Sequence, residues 1–152
     1  MRTNSNAFVS AAILATLILV APAFANHHTA LNGTWTLLPA KSDFAGQPVI
    51  QTGSVTIDER EGIISVSRNF VYQGASETFY YKDMTEAQNG ATIHDGKDVK
   101  SKSKWDHDIL KVTTTESGAT TVESYSLAAD GTMVVNVVRP GRPALTLFFE
   151  RK

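Results

Sequence analysis

Residues 30–38 read Ala-Leu-Asn-Gly-Thr-Trp-Thr-Leu-Leu and hold one of the two tryptophans in the chain. The stretch alternates in an extended chain: Trp35 and Leu37 share one face, while Thr34, Thr36 and Leu38 share the other. A strand opening at Gly33 therefore has an apolar side for a core, and its two threonines suit water. A large aromatic placed directly after a glycine, at the start of the folded part, is expected to be buried as a packing plug rather than offered to a ligand.

Upstream of this strand lies a processing signal. Arg2 is followed by an apolar run from Ala7 to Val20, then by Ala21-Pro22-Ala23-Phe24-Ala25, an Ala-x-Ala cleavage pattern. The run is shorter than the roughly 20 apolar residues of a membrane span and ends in a helix-breaking proline. Residues 1–25 are thus expected to be a cleaved signal peptide, with an uncleaved anchor as the alternative. Residues 26–152 are then a single exported domain, periplasmic or secreted, with no membrane span. The chain contains no cysteine, so packing and hydrogen bonds must hold this domain together without disulfides. With 14 basic against 15 acidic side chains and a formal net charge of −1, nothing draws it to nucleic acid or to an anionic membrane.

Downstream the hydrophobic period is two almost throughout, with Val, Ile, Thr, Tyr and Phe in short runs between turn residues. This predicts about ten strands, near 33–38, 53–59, 62–71, 75–82, 90–94, 97–105, 108–116, 119–127, 131–139 and 143–150. Glu61-Gly62, Gln73-Gly74, Asn89-Gly90, Asp95-Gly96, Ser117-Gly118 and Asp130-Gly131 mark hairpin turns. Only 41–47 and 84–87 have room for a turn or two of helix. Many short strands in local antiparallel connection indicate an all-β up-and-down barrel or clam.

Gly33-Thr34-Trp35 opening the first strand, with a meander that ends in Leu147-Phe148-Phe149-Glu150-Arg151-Lys152, resembles the lipocalin and fatty-acid-binding-protein group. The resemblance implies that Gly33 and Trp35 are structural. It places Trp35 in the barrel floor, with a basic side chain near the last strand packed on it, for which Arg139, Arg142 and Arg151 are candidates. Closure would set the strand at 143–150 beside the first. Two departures from fatty-acid-binding proteins stand out. Their last strand resembles Arg-x-Tyr-Glu, a clamp for a carboxylate, whereas the matching positions here are Leu147, Phe149 and Glu150. Their helical lid has no counterpart in Pro39 to Pro48, which prolines bracket and Gly46 interrupts.

The inward faces carry the candidate ligand contacts. One strand presents Val99, Ser101, Ser103 and Trp105, with Lys100, Lys102 and Lys104 turned outward as a solvated stripe or a patch for an anionic partner. A second presents Ile64, Val66, Arg68, Phe70 and Tyr72. Two serines and an arginine do not tile a dry core, so Arg68 should reach water in a cavity, pair with an inward acid, or show the strand to be inverted. Arg68, Tyr72, Ser101, Ser103 and Trp105 are therefore the predicted ligand-binding set.

No nucleophile with a base, converging acid pair, phosphate loop or metal-ligand spacing stands out, and no cofactor is implied. His94 before an Asp-Gly turn, and His107 between Asp106 and Asp108, read as solvated hairpin-end residues. After cleavage at Ala25, the amine of Asn26, two backbone nitrogens and the imidazole of His28, next to His27, would form a square-planar Cu(II) site. The functional reading is a monomeric exported protein holding a small apolar or amphipathic molecule in the barrel. Its rivals are an interaction or structural module with a filled core, and an enzyme at the barrel mouth.

Overall fold

The structure is a computed structural model that describes residues 28–94 and 97–152. The expected signal peptide, Asn26 and His27 of the copper candidate, and the Asp95-Gly96 turn lie outside the described residues.

Ten strands form one closed antiparallel barrel. They are β1 (Gly33–Leu37), β2 (Ile50–Arg60), β3 (Ile63–Tyr72), β4 (Ala75–Met84), β5 (Gly90–His94), β6 (Lys97–Asp106), β7 (Ile109–Glu116), β8 (Ala119–Leu127), β9 (Met133–Val138) and β10 (Leu145–Arg151). Each pairs with its sequence neighbours, and β1 closes the ring on β10 through Trp35↔Arg151 and Leu37↔Phe149. Closure leaves no unpaired edge, the usual weakness of a β-sheet protein without disulfides.

The tight turns follow the residues. Glu61-Gly62, Gln73-Gly74 and Ser117-Gly118 all have positive φ at both positions, as two-residue type I′ hairpins require. Asn89-Gly90 departs from expectation, because residues 85–89 form a longer loop and Gly90 already belongs to β5. Its glycine serves close approach instead: a Cβ there would collide with the Lys82 carbonyl oxygen. The second strand begins at Ile50 rather than 53, extended past an irregularity between Ile50 and Thr52. Helix among the described residues is confined to 3-10 turns at Thr29–Leu31 and Pro39–Lys41. The expected missing lid is a fact of the fold: after Leu37 the chain bulges, returns to pair Asp43 with Thr146 of β10, and buries Phe44.

Alternation puts the predicted faces where they were expected. On β3, Ile64, Val66 and Phe70 are buried, and on β6, Val99, Ser101 and Ser103 are buried while Lys100, Lys102 and Lys104 are exposed. Trp35, 1% exposed, sits in the closed end, and its indole N–H donates to the Leu31 carbonyl at 2.9 Å. Of the three candidate arginines, Arg151 takes the place on Trp35, its guanidinium 4.2 Å from the ring centroid. Arg151 also donates to the carbonyls of Asn32 and Ala30, at 2.6 and 2.7 Å, and so ties the amino-terminal turn to the last strand.

Candidate binding site in the barrel mouth

The lower half of the barrel is packed solid by Trp35, Ile57, Ile64, Met84, Leu110, Met133 and Phe149. Higher up, the inward positions become polar, because the same alternation that gives β8 its Tyr125 gives it Glu123, and that of β3 gives Arg68. Arg68 and Glu123 form an ion pair, with side chains 13% and 2% exposed. Glu123 also accepts a hydrogen bond from the Tyr125 hydroxyl at 2.8 Å. The Arg68 guanidinium lies 4.3 Å from the Phe79 ring centroid and 5.1 Å from that of Phe70. Burial pushes the Tyr125 phenol far above its ordinary value, with Arg68 pulling it the other way, so it stays a donor to Glu123. Of the three outcomes open for Arg68, the inward acid is the one found. Both partners also border open space.

That space is a cavity of about 450 Å³, lined by the upper halves of the strands. Ile50, Phe70, Phe79, Val137 and Leu147 supply apolar wall, while Arg68 and Glu123 form part of the lining beside them. The size falls within the roughly 300 to 1,000 Å³ of small-molecule sites, and so does the mixture of apolar wall with a few fixed polar groups. The fatty-acid clamp is absent, as expected from Leu147 and Phe149: the first lines the cavity and the second is fully buried. Tyr72 stands in the wall, its phenol raised above the ordinary value by burial and lowered in turn by Arg68.

The structure corrects the reading of His94. Its side chain is only 12% exposed and stacks on Phe79 at 3.6 Å between ring centroids. Carboxylate oxygens of Glu77 on β4 and Glu116 on β7 lie 3.3 and 3.5 Å from its two ring nitrogens, and all three residues line the cavity. The reading of His107 as a solvated hairpin-end residue holds: it is exposed, beside Asp106.

Arg68 and Tyr72 thus line the cavity; the other predicted contacts do not. The Ser101 hydroxyl is 3.2 Å from the hydroxyl of Thr114, which does line the cavity, Ser103 is buried lower down, and Trp105 lies at the closed end with its ring stacked on His28 at 4.1 Å. Glu77, His94, Glu116 and Glu123 are site residues that were missed. Strand phase carried the signal for the acids: Glu77 shares parity with Phe79 and Tyr81, Glu116 with Leu110 and Val112, and Glu123 with Tyr125. No group of described residues has the makings of a metal site.

No protein-family model and no curated protein matches the sequence. Solved structures do. The fluorescent protein UnaG superposes with a TM-score of 0.58 at 16% identity, covering 80% of this chain and 96% of that one. The fold is that of the calycin-like barrels. A secretory abundant heat soluble protein from Ramazzottius varieornatus gives a TM-score of 0.58 at 10% identity, over 81% of this chain and 96% of its own. A Schistosoma mansoni fatty acid binding protein, in complex with arachidonic acid, gives 0.51 at 16% identity, over 83% and 98%. These likenesses, each covering at least 80% of this chain, are likenesses of fold.

Proposed function

We propose that this calycin-like barrel is an exported, monomeric carrier that holds a small apolar or amphipathic molecule in its upper lumen and does not convert it. The observation that carries this reading is the cavity of about 450 Å³ above a solidly packed lower half. A module with a filled core would have no use for such a space, since close packing is what stabilises an interior. Apolar wall supplies affinity through desolvation, and the Arg68–Glu123 pair supplies fixed polarity without a spare charge. The fatty-acid ligand of the Schistosoma protein supports an apolar chain as the guest. Export is supported by the Ala-x-Ala pattern ending at Ala25 and would deliver residues 26–152.

Native mass spectrometry of the protein purified from its own host tests both parts. The expected result is a chain beginning at Asn26 that carries a copurifying small molecule. A chain retaining residues 1–25 would replace the signal peptide by an anchor, and a protein partner in place of a small molecule would favour the interaction module.

A further inference from the structure

An amphiphile in this barrel needs a place for its head, and the deep cation is taken. Arg68 is paired with Glu123 and covered by Phe79, so a carboxylate entering there would have to displace a buried partner. Toward solvent the picture reverses. The cavity shares Ile50, Tyr72, Glu77, Arg139 and Leu145 with a second pocket of about 400 Å³ at the rim, so the two adjoin.

The rim pocket is walled on one side by the turn Arg139-Pro140-Gly141-Arg142. The Arg142 N–H donates to the Arg139 carbonyl at 3.3 Å, and Gly141 takes the positive φ of 68° that the turn demands. Both arginines line the same pocket, together with Tyr72. Among the described residues neither arginine forms an ion pair, in contrast to Arg68. The one acid on this pocket, Glu77, lies against His94 at 3.3 Å. Two arginines without counterions, beside a phenol donor and open to an apolar cavity, have the chemistry of an anion site.

We propose that the Arg139–Arg142 rim pocket binds the anionic head group of a single-chain amphiphile whose apolar chain runs down into the barrel, head outward. The assignment rests on the carrier reading. It makes the amphiphile's charge face the mouth, where it remains partly hydrated.

The test is displacement of the neutral dye Nile red by three probes with the same chain: dodecanoate, 1-dodecanol and dodecyltrimethylammonium. Wild type should bind dodecanoate about tenfold more tightly than the alcohol, as charge-assisted hydrogen bonds provide. The Arg139→Gln/Arg142→Gln variant should lose that advantage while holding the alcohol as before. Equal binding of acid and alcohol by wild type, an equal loss of both in the variant, or tightest binding of the ammonium would overturn the rim site and leave the carrier standing. Failure of wild type to take up the dye or any probe would defeat the carrier reading itself. Dodecanoate labelled with carbon-13 at the carboxyl reports orientation: a soluble paramagnetic agent should broaden its resonance, and an unbroadened signal would place the head inside, against the proposal.

Discussion

Arg68 and Glu123 join opposite walls of the barrel: β3 and β8 stand five strands apart in either direction around the ring, and their side chains meet as a buried ion pair. Such a strut divides the interior. Below it lies packed hydrocarbon, above it the cavity.

Removing one end of the strut leaves a charge stranded in the barrel. Glu123→Ala should cost about 3 to 5 kcal/mol, because Arg68 would be left without its counterion. The double replacement Arg68→Met/Glu123→Leu should recover most of that loss, since well-packed apolar pairs substitute for buried ion pairs at little cost. Urea unfolding of the two variants checks this; a double variant as unstable as the single would show that the pair itself holds the walls together.

The closed end depends on Trp35 and on the hook of Arg151 around the amino-terminal turn. Trp35→Ala should cost about 3 to 5 kcal/mol, the range for truncating a large buried aromatic. Gly33→Ala should also destabilise, because φ at this position is 122° and a Cβ would stand 2.8 Å from Arg151 Nη1. An unchanged urea midpoint in either variant would show that this end does not support the barrel.

Alkaline pH should weaken the fold through Tyr125. In the unfolded chain its phenol ionises near the ordinary value of 10.0, whereas burial keeps it protonated in the barrel beyond that. Above this pH the unfolded state binds fewer protons than the native state, so stability falls as pH rises; below it Tyr125 contributes no pH dependence. Tyr125→Phe should flatten the decline and, by depriving Glu123 of a donor, lower stability at neutral pH by about 1 to 3 kcal/mol. Urea midpoints from neutrality to about pH 11 compare the two slopes.

Much of this architecture is written in short-range pattern. Alternation fixes which residues of β1, β3 and β6 face inward, and Gly after Glu61, Gln73 or Ser117 fixes where the chain reverses. Arg68 was legible as an anomaly because five inward positions in a row identified its face. Glu123 was not, since a lone glutamate among threonines and serines looks like surface until Tyr125 sets the phase. His94 was harder still: β5 is five residues long, its inward Gly90 carries no side chain to read, and the partners Glu77 and Glu116 come from other strands. Gly90 itself looked like a turn residue, and only the Lys82 carbonyl across the sheet shows why it is glycine. Contacts made by closing the ring have no local signature.

On the proposed function, the space above the Arg68–Glu123 strut takes up a small molecule. Thr121, half-buried on β8, lines this space, so Thr121→Trp puts a large side chain into it while leaving Arg68 and Glu123 themselves unchanged. Nile red fluorescence with wild type and this variant, both checked for an unchanged urea midpoint, is the most direct measurement. Wild type should bind the dye brightly and saturably, and the variant should lose that binding. Equal binding by the two proteins, or none by wild type, would contradict the proposal.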